Sequence, residues 1–355
     1  MINKNITVLY LGISSPDFSR NRVYIKSLEK QGVSVLKCFD NAPGIKKFIN
    51  LWKKHRELVG KYDVVFVAYP GHVIVWFARL LTRKPVVFDA LASFYESEVL
   101  SRHPGKKISF FALKMWLIDF FACFFSTVTL VESELQVEYF HKMFGISKKK
   151  CFCVYTGVDE DVFKYDPTAE KNAIFTVVFR GKFLPEAGVR NILEAAKILI
   201  KENIRFEIYG FGFLENEIKQ AVAVSGLENL VLDTQEKSFS DLSHIFSHSH
   251  LSLGQLSSHN RLERTIPHKA FESMAMKIPY ITARSRGVEE LLSSEESAFV
   301  VNPDDPKDLA RIILMAKNDY ERALLLANNA YKIYLEKASN TAIGEKLVSI
   351  INKLM

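Results

Sequence analysis

Apolar and polar positions alternate in blocks along the chain, and the blocks change period. Ile6–Ile13, Val33–Phe39, Pro85–Leu91, Ser126–Ser133 and Cys151–Gly157 are short apolar-rich runs that predict strands. Asp63–Tyr69 (DVVFVAY) is a continuous apolar run, the pattern of a parallel strand buried on both faces. Between these lie stretches of helical character: Arg22–Gln31 ending at Gly32, Lys46–Val59, His72–Thr82, Ile108–Phe125 and Leu135–Phe144. Strand and helix in strict turn predict an α/β fold with a doubly wound parallel sheet.

The pattern then restarts. Residues 173–181, 206–212, 229–233, 250–256, 278–283 and 298–301 read as strands. Val189, Ile192, Leu193, Ala196, Leu199 and Ile200 repeat at the spacing of one helix face. Further helices are expected from near Pro267, over Val288–Leu292 and through the tail Lys307–Met355. The polar stretch 159–172, with Pro167, separates the halves. The expectation is two Rossmann-like domains, 1–160 and 173–339, facing a central cleft, with 161–172 as linker. The last helix, about 340–355, is placed to pack back on the first domain. Ligands of such sheets bind beyond the carboxyl ends of the strands.

Length agrees: 355 residues suggest about two domains. Hydrophobic residues at 48% and charged residues at 25% exclude a disordered or collagen-like chain. Charge is uneven. Residues 1–165 hold 24 Lys and Arg against 15 Asp and Glu, and residues 166–355 hold 23 against 25. A basic front half implies an anionic partner: nucleic acid, an anionic membrane face or a phosphorylated substrate. Cys38, Cys123, Cys151 and Cys153 read as buried thiols, and no metal site is expected. The run Ile6–Ile13 is too short for a signal peptide. Ile108–Phe125 approaches spanning length but carries Lys114 and Asp119, so it reads as an apolar core helix that dips into a membrane surface.

Several chemistries lack their signatures. There is no GxGxxG after the first strand, no GxxxxGK[ST] phosphate loop and no GxSxG elbow. Asp159-Glu160-Asp161 has acid-x-acid spacing but sits in the expected linker and reads as a solvated turn. His244, His248 and His250 cluster without a clear third metal ligand and read as surface histidines. Residues 261–272 (RLERTIPHKAFE) are richer. His268 and Lys269 fall at a helix start after Pro267, where free N–H groups favour phosphate. Glu272 lies one turn on, able to accept both hydrogen bonds of a sugar diol. A base near phosphate with an acid for a diol suits a nucleoside diphosphate; a capped amphipathic helix with a local ion pair fits equally well.

With these segments in order, the chain resembles glycosyltransferase family four, of the GT-B fold. VYTGVDEDVF, FRGKFLPEAGVRNILEAAKIL, FEIYGFG, RTIPHKAFESMAMKIPYITARSRGVEELL and VNPDDPKDLARII carry the resemblance, most strongly over residues 151–315. It implies retaining transfer of a sugar from a nucleotide-diphosphate sugar, with no bound metal and no cofactor. It places Glu272 at the donor ribose, Gly181 and Lys182 at the diphosphate, and Gly210 and Gly212 near the nucleotide. Thr265, Ile266 and Pro267 occupy the positions of amides near the donor sugar, and Pro267 has no N–H.

Departures from the family accompany it. Arg264 stands where the family has a glutamate, Ala187 where it has a diphosphate lysine, and Leu91 where it often has a histidine. Lys182, Arg264 and Lys269 are expected to stabilise the leaving diphosphate, with His268 beside them among the donor contacts. Asp89 is the catalytic candidate of the first domain, and Gly12, Ser14, Arg20 and Ser93 are expected on the acceptor side. Lys46, Lys47, Lys53, Lys54 and Arg56 share a helix with Phe48, Ile49, Leu51 and Trp52, and Lys106 and Lys107 precede the apolar helix. Such a surface suits an anionic cytoplasmic membrane and a glycan or lipid-linked acceptor, with no role for nucleic acid. The competing readings are a scaffold on a decayed GT-B fold and a GT-B nucleotide-sugar epimerase.

Overall fold

The protein is described here by a computed structural model over residues 6–355. It divides into two compact units: residues through Asp159 together with Lys337–Met355, and Glu160–Glu336.

The first unit is a six-stranded sheet in the order β2-β1-β3-β4-β5-β6, with every adjacent pair parallel. Its strands are β1 Thr7–Gly12, β2 Ser34–Phe39, β3 Val64–Val67, β4 Val86–Leu91, β5 Val128–Val131 and β6 Cys151–Cys153. Side chains alternate between faces along a strand. Leu9 and Leu11 therefore pack with one helix layer: α2 Lys46–Arg56, α3 Val75–Leu81, α4 Phe110–Phe125 and α5 Glu134–Phe144. Val8 and Tyr10 pack on the other face against α1 Ser19–Lys30 and α13 Asn340–Asn352. The last helix reaches this unit because Gly344 lets it close on α1; a Cβ there would lie 2.3 Å from the Ser27 carbonyl oxygen.

The second unit has strands β7 Phe175–Arg180, β8 Ile204–Tyr209, β9 Leu230–Asp233, β10 Leu251–Leu253, β11 Tyr280–Ala283 and β12 Phe299–Val301. Their order is β12-β11-β10-β7-β8-β9, again wholly parallel. The helices are α6 Val189–Ile198, α7 Glu215–Ser225, α8 Phe239–His248, α9 His268–Ala275, α10 Arg286–Glu289, α11 Pro306–Asn318 and α12 Tyr320–Lys337. One apolar core joins α6 and α11 to the sheet. The fold is thus the expected α/β arrangement of two doubly wound parallel sheets.

Two expectations are corrected. The stretch 161–172 is not a bare linker: Lys171 Nζ donates to the carbonyls of Ser247 and Ser249, and Ser243 Oγ to that of Val162, so it is bound to the second unit. Asp159 is not on a solvated turn; it is buried and paired with Arg22 (2.8 Å) and Lys26 (2.6 Å) of α1. Both depend on partners distant in sequence.

Candidate active site

In the second sheet the chain reverses direction of winding between β7 and β10, and ligands of such sheets bind beyond the strand ends at that point. There β7 delivers Arg180, Gly181 and Lys182, and β10 leads to Gln255. Helix α9 begins at His268 with Pro267 as its N-cap. These pieces meet. Lys269 Nζ donates to Gln255 Oε1 at 3.3 Å and lies 3.9 Å from the centre of the Phe179 ring. Arg180 Nη2 lies 2.9 Å from Glu272 Oε1, and His268 Nδ1–H donates to the same oxygen at 2.9 Å. Glu272 Oε2 accepts no hydrogen bond from the described protein.

Electrostatics follow from burial. Burial alone would raise the Glu272 pKa, but the Arg180 guanidinium and the His268 hydrogen bond outweigh it and bring it down to about 2. Burial, with help from the Arg180 charge, pulls Lys269 down to about 7, against the opposing pull of Glu272. The site thus holds a fixed carboxylate and an amine that exchanges its proton near neutrality.

Beyond the strand ends lies a cavity of about 590 Å³. Arg180, Gly181, Lys182, Gly210 and Phe211 form one side, and residues Gln235–Phe239 with Leu242 the other. Lys182 Nζ sits 4.2 Å from the centre of the Phe211 ring. Gly210 is required by close approach: a Cβ there would fall 1.9 Å from the Gly181 carbonyl oxygen. Gly212 follows with its backbone at a φ of 137°.

The structure therefore brings together Gly181, Lys182, Gly210, His268, Lys269 and Glu272. Arg264 Nη2 donates to Asn260 Oδ1 (3.0 Å), across the turn Asn260–Glu263. Thr265 supports α10, its backbone crowding Gly287, and Ile266 is buried in the core. Arg180, Gln255 and the wall at residues 235–242 were missed by sequence reasoning. So was the buried Glu186, whose carboxyl pairs with Arg261 at 2.8 Å and fixes the turn ahead of α9. Burial acts to raise the Glu186 pKa, and the Arg261 charge brings it below the usual range. Arg180 closes an apolar strand run at the switch point, which was its available signal.

The first-unit candidates are corrected. Asp89 is fully buried and held by Arg20, whose Nε lies 2.9 Å from both carboxylate oxygens; Arg20 also donates to Thr156 Oγ1 and the Val154 carbonyl. This is an internal ion pair tying α1 to β4. Gly12 is packed beneath Phe39, and Ser14 donates to the Tyr69 carbonyl. Ser93 Oγ donates to Asp119 Oδ2 at 2.6 Å inside the protein. Among the described residues, no three His, Cys, Asp or Glu side chains are grouped to hold a metal ion. His244 and His248 lie tilted against each other, with ring centres 4.1 Å apart and planes at 46°.

Residues 161–333, which lie in the second unit, match the family described as glycosyl transferases group 1. The chain is similar to the alpha-D-kanosaminyltransferase of Streptomyces kanamyceticus, 27% identical over 50% of this chain and 45% of that protein. It is also similar to the capsular polysaccharide biosynthesis glycosyltransferase CapM of Staphylococcus aureus, 21% identical over 52% and 47%. The chain spans about half the length of the curated relatives it matches. In fold it resembles Anabaena HepE, solved with UDP and glucose, at a TM-score of 0.74, 17% identity and coverage of 98% and 100%.

Proposed function

We propose that this protein transfers a hexosyl group from a nucleotide-diphosphate sugar to a glycan or lipid-linked acceptor, in the synthesis of a cell-surface polysaccharide or glycoconjugate. The transfer retains anomeric configuration and uses no metal. The observation that carries this reading is the meeting of Arg180, Lys182 and Lys269 with the buried Glu272 at the switch point. The solved Anabaena relative holds UDP and glucose, and CapM acts in capsular polysaccharide biosynthesis, which supports the same chemistry here.

In this reading the base lies in the cavity beside Phe211, and the diphosphate lies against Gly181, Lys182 and the start of α9. Glu272 Oε2 accepts from the ribose diol. Arg180 passes from Glu272 to the diphosphate as the donor enters, so the pocket is charge-balanced both empty and filled. As the sugar–phosphate bond breaks, negative charge grows on the leaving diphosphate, and Lys182, Lys269 and Arg180 stabilise it, with Arg264 alongside. They take over the role of the family lysine replaced by Ala187, which here is packed in the core.

The protein works at the inner face of the membrane, with α2 toward anionic lipid. Lys46 and Lys53 are exposed there beside Ile49 and Trp52, whereas Lys47 is half-buried and Lys54 is engaged by Asp40 at 3.0 Å. Incubation with a panel of nucleotide sugars and a membrane extract tests the reading. Acceptor-dependent release of nucleoside diphosphate, unaffected by a chelator, with the product's anomeric configuration matching the donor's, is expected. Turnover without acceptor would instead mark an epimerase, and no turnover at all a scaffold.

A further inference from the structure

Helix α4 is apolar on both sides. Ala112, Asp119, Ala122 and Cys123 face inward, while Phe110 (83% exposed), Leu113 (52%) and Phe124 (66%) face out. Asp119 prevents the helix from turning that face inward. It accepts from Ser93 Oγ (2.6 Å), Phe94 N (3.0 Å) and Tyr95 N (2.9 Å), which clamps α4 to the segment after β4. Beside it, α3 presents Trp76 and Leu80 to solvent. Between the two helices runs a groove of about 330 Å³, lined by Val73, Trp76, Leu113, Leu117 and Phe121, with Lys114 as its charged member.

Cations surround this apolar face. Lys106 and Lys107 are exposed just ahead of α4, and the Lys46 and Lys47 end of α2 is joined to it through Phe48, whose ring lies 5.8 Å from that of Trp76. A patch of this kind in water marks an interaction site. A two-fold dimer across it would bring the lysines of both copies together, which like-charge repulsion opposes. An anionic amphiphile satisfies both features at once: hydrocarbon for the groove, head-group charge for the lysines, and the interface for exposed tryptophan.

We infer that the α3–α4 face is a lipid-insertion site, in which the groove seats one hydrocarbon chain of an anionic bilayer while Lys106, Lys107 and Lys114 hold head groups. This deepens the membrane reading above and rests on it. It would hold the enzyme where a lipid-linked acceptor lies.

The test uses the full chain with phosphatidylcholine–phosphatidylglycerol vesicles, with and without bromine on the acyl chains. Brominated chains should quench tryptophan emission, and Trp76→Phe should remove part of that quenching. Phe110→Ser with Leu113→Ser should weaken vesicle flotation by at least about tenfold. Lys106→Glu with Lys107→Glu should weaken it too, and nucleoside diphosphate affinity should be unchanged in both variants. Flotation without any Trp76-dependent quenching would overturn the groove and leave α2 docking standing. No binding to these vesicles would overturn both. A wild-type dimer in sedimentation that the serine variant dissociates would show the face to be a subunit contact, against the inference.

Discussion

Arg180 and Glu272 form an ion pair at the switch point of the second sheet, 2.9 Å apart, with the carboxylate fully buried and the guanidinium partly open to the cavity. The pair accounts for how a carboxylate stays ionised in the core until a ligand arrives. Removing one partner of a buried pair costs about 3–5 kcal/mol, and the figure here belongs at the lower end because Arg180 is partly solvated. Arg180→Ala should therefore lower unfolding free energy by about 3 kcal/mol. Arg180→Leu combined with Glu272→Leu should recover most of it. Chemical denaturation reads both; equal losses in the single and double variants would refute the pairing.

Lys269 should make nucleoside diphosphate binding pH-dependent. Its folded pKa of about 7 lies below the ordinary lysine value of 10.5, because the amine is buried near Arg180. A bound diphosphate raises it again. Below about pH 7 the amine is already charged and affinity should be flat; above it, binding must take up a proton and affinity should fall. Calorimetry in two buffers of unlike ionisation enthalpy, about one unit above that pKa, should show proton uptake that Lys269→Met abolishes. The stability sign is also fixed: the unfolded chain holds the extra proton between pH 7 and 10.5, so this group's contribution to stability rises with pH across that window.

The Arg20–Asp89 pair should behave as architecture. Asp89→Asn leaves Arg20 a buried, unmatched charge and should cost about 3–5 kcal/mol in the first unit. Nucleoside diphosphate affinity should be unchanged at temperatures where the variant is folded. A loss of donor binding with stability intact would return Asp89 to the active site.

What the sequence disclosed and what it hid have physical reasons. Buried parallel strands such as Val64–Val67 are continuous apolar runs, so the double winding was readable from pattern alone. Lys269 and Glu272 were readable because a helix start places them one turn apart. Arg180 was not, since a charge at the end of an apolar strand gains meaning only when the strand order puts that end at the switch point. Arg20 and Asp89, 69 residues apart, each looked like free chemistry until the fold joined them. Pocket wall 235–242 hid in a polar stretch whose serine cap, Ser238, is a local helix signal and carries no trace of a ligand.

Gly210 should tolerate no side chain. A Cβ would sit 1.9 Å from the Gly181 carbonyl oxygen, backbone that cannot swing aside. Gly210→Ala should displace the Gly181–Lys182 turn and weaken nucleoside diphosphate binding more than it weakens the fold. Calorimetry paired with thermal unfolding checks this; a variant that binds like the wild type would show that the turn is not part of the site.

The central claim is that Glu272 and its cations form a nucleoside diphosphate site. Its most direct test is a calorimetric titration of a nucleoside diphosphate panel into the wild type and into Glu272→Gln. Each hydrogen bond from a neutral hydroxyl to a charged carboxylate contributes about 1.5–3 kcal/mol, or about ten- to a hundredfold in affinity. At least one nucleoside diphosphate should bind the wild type and lose that much in the variant, whose fold is confirmed by circular dichroism. Binding of equal strength to both proteins, or to neither, would contradict the account.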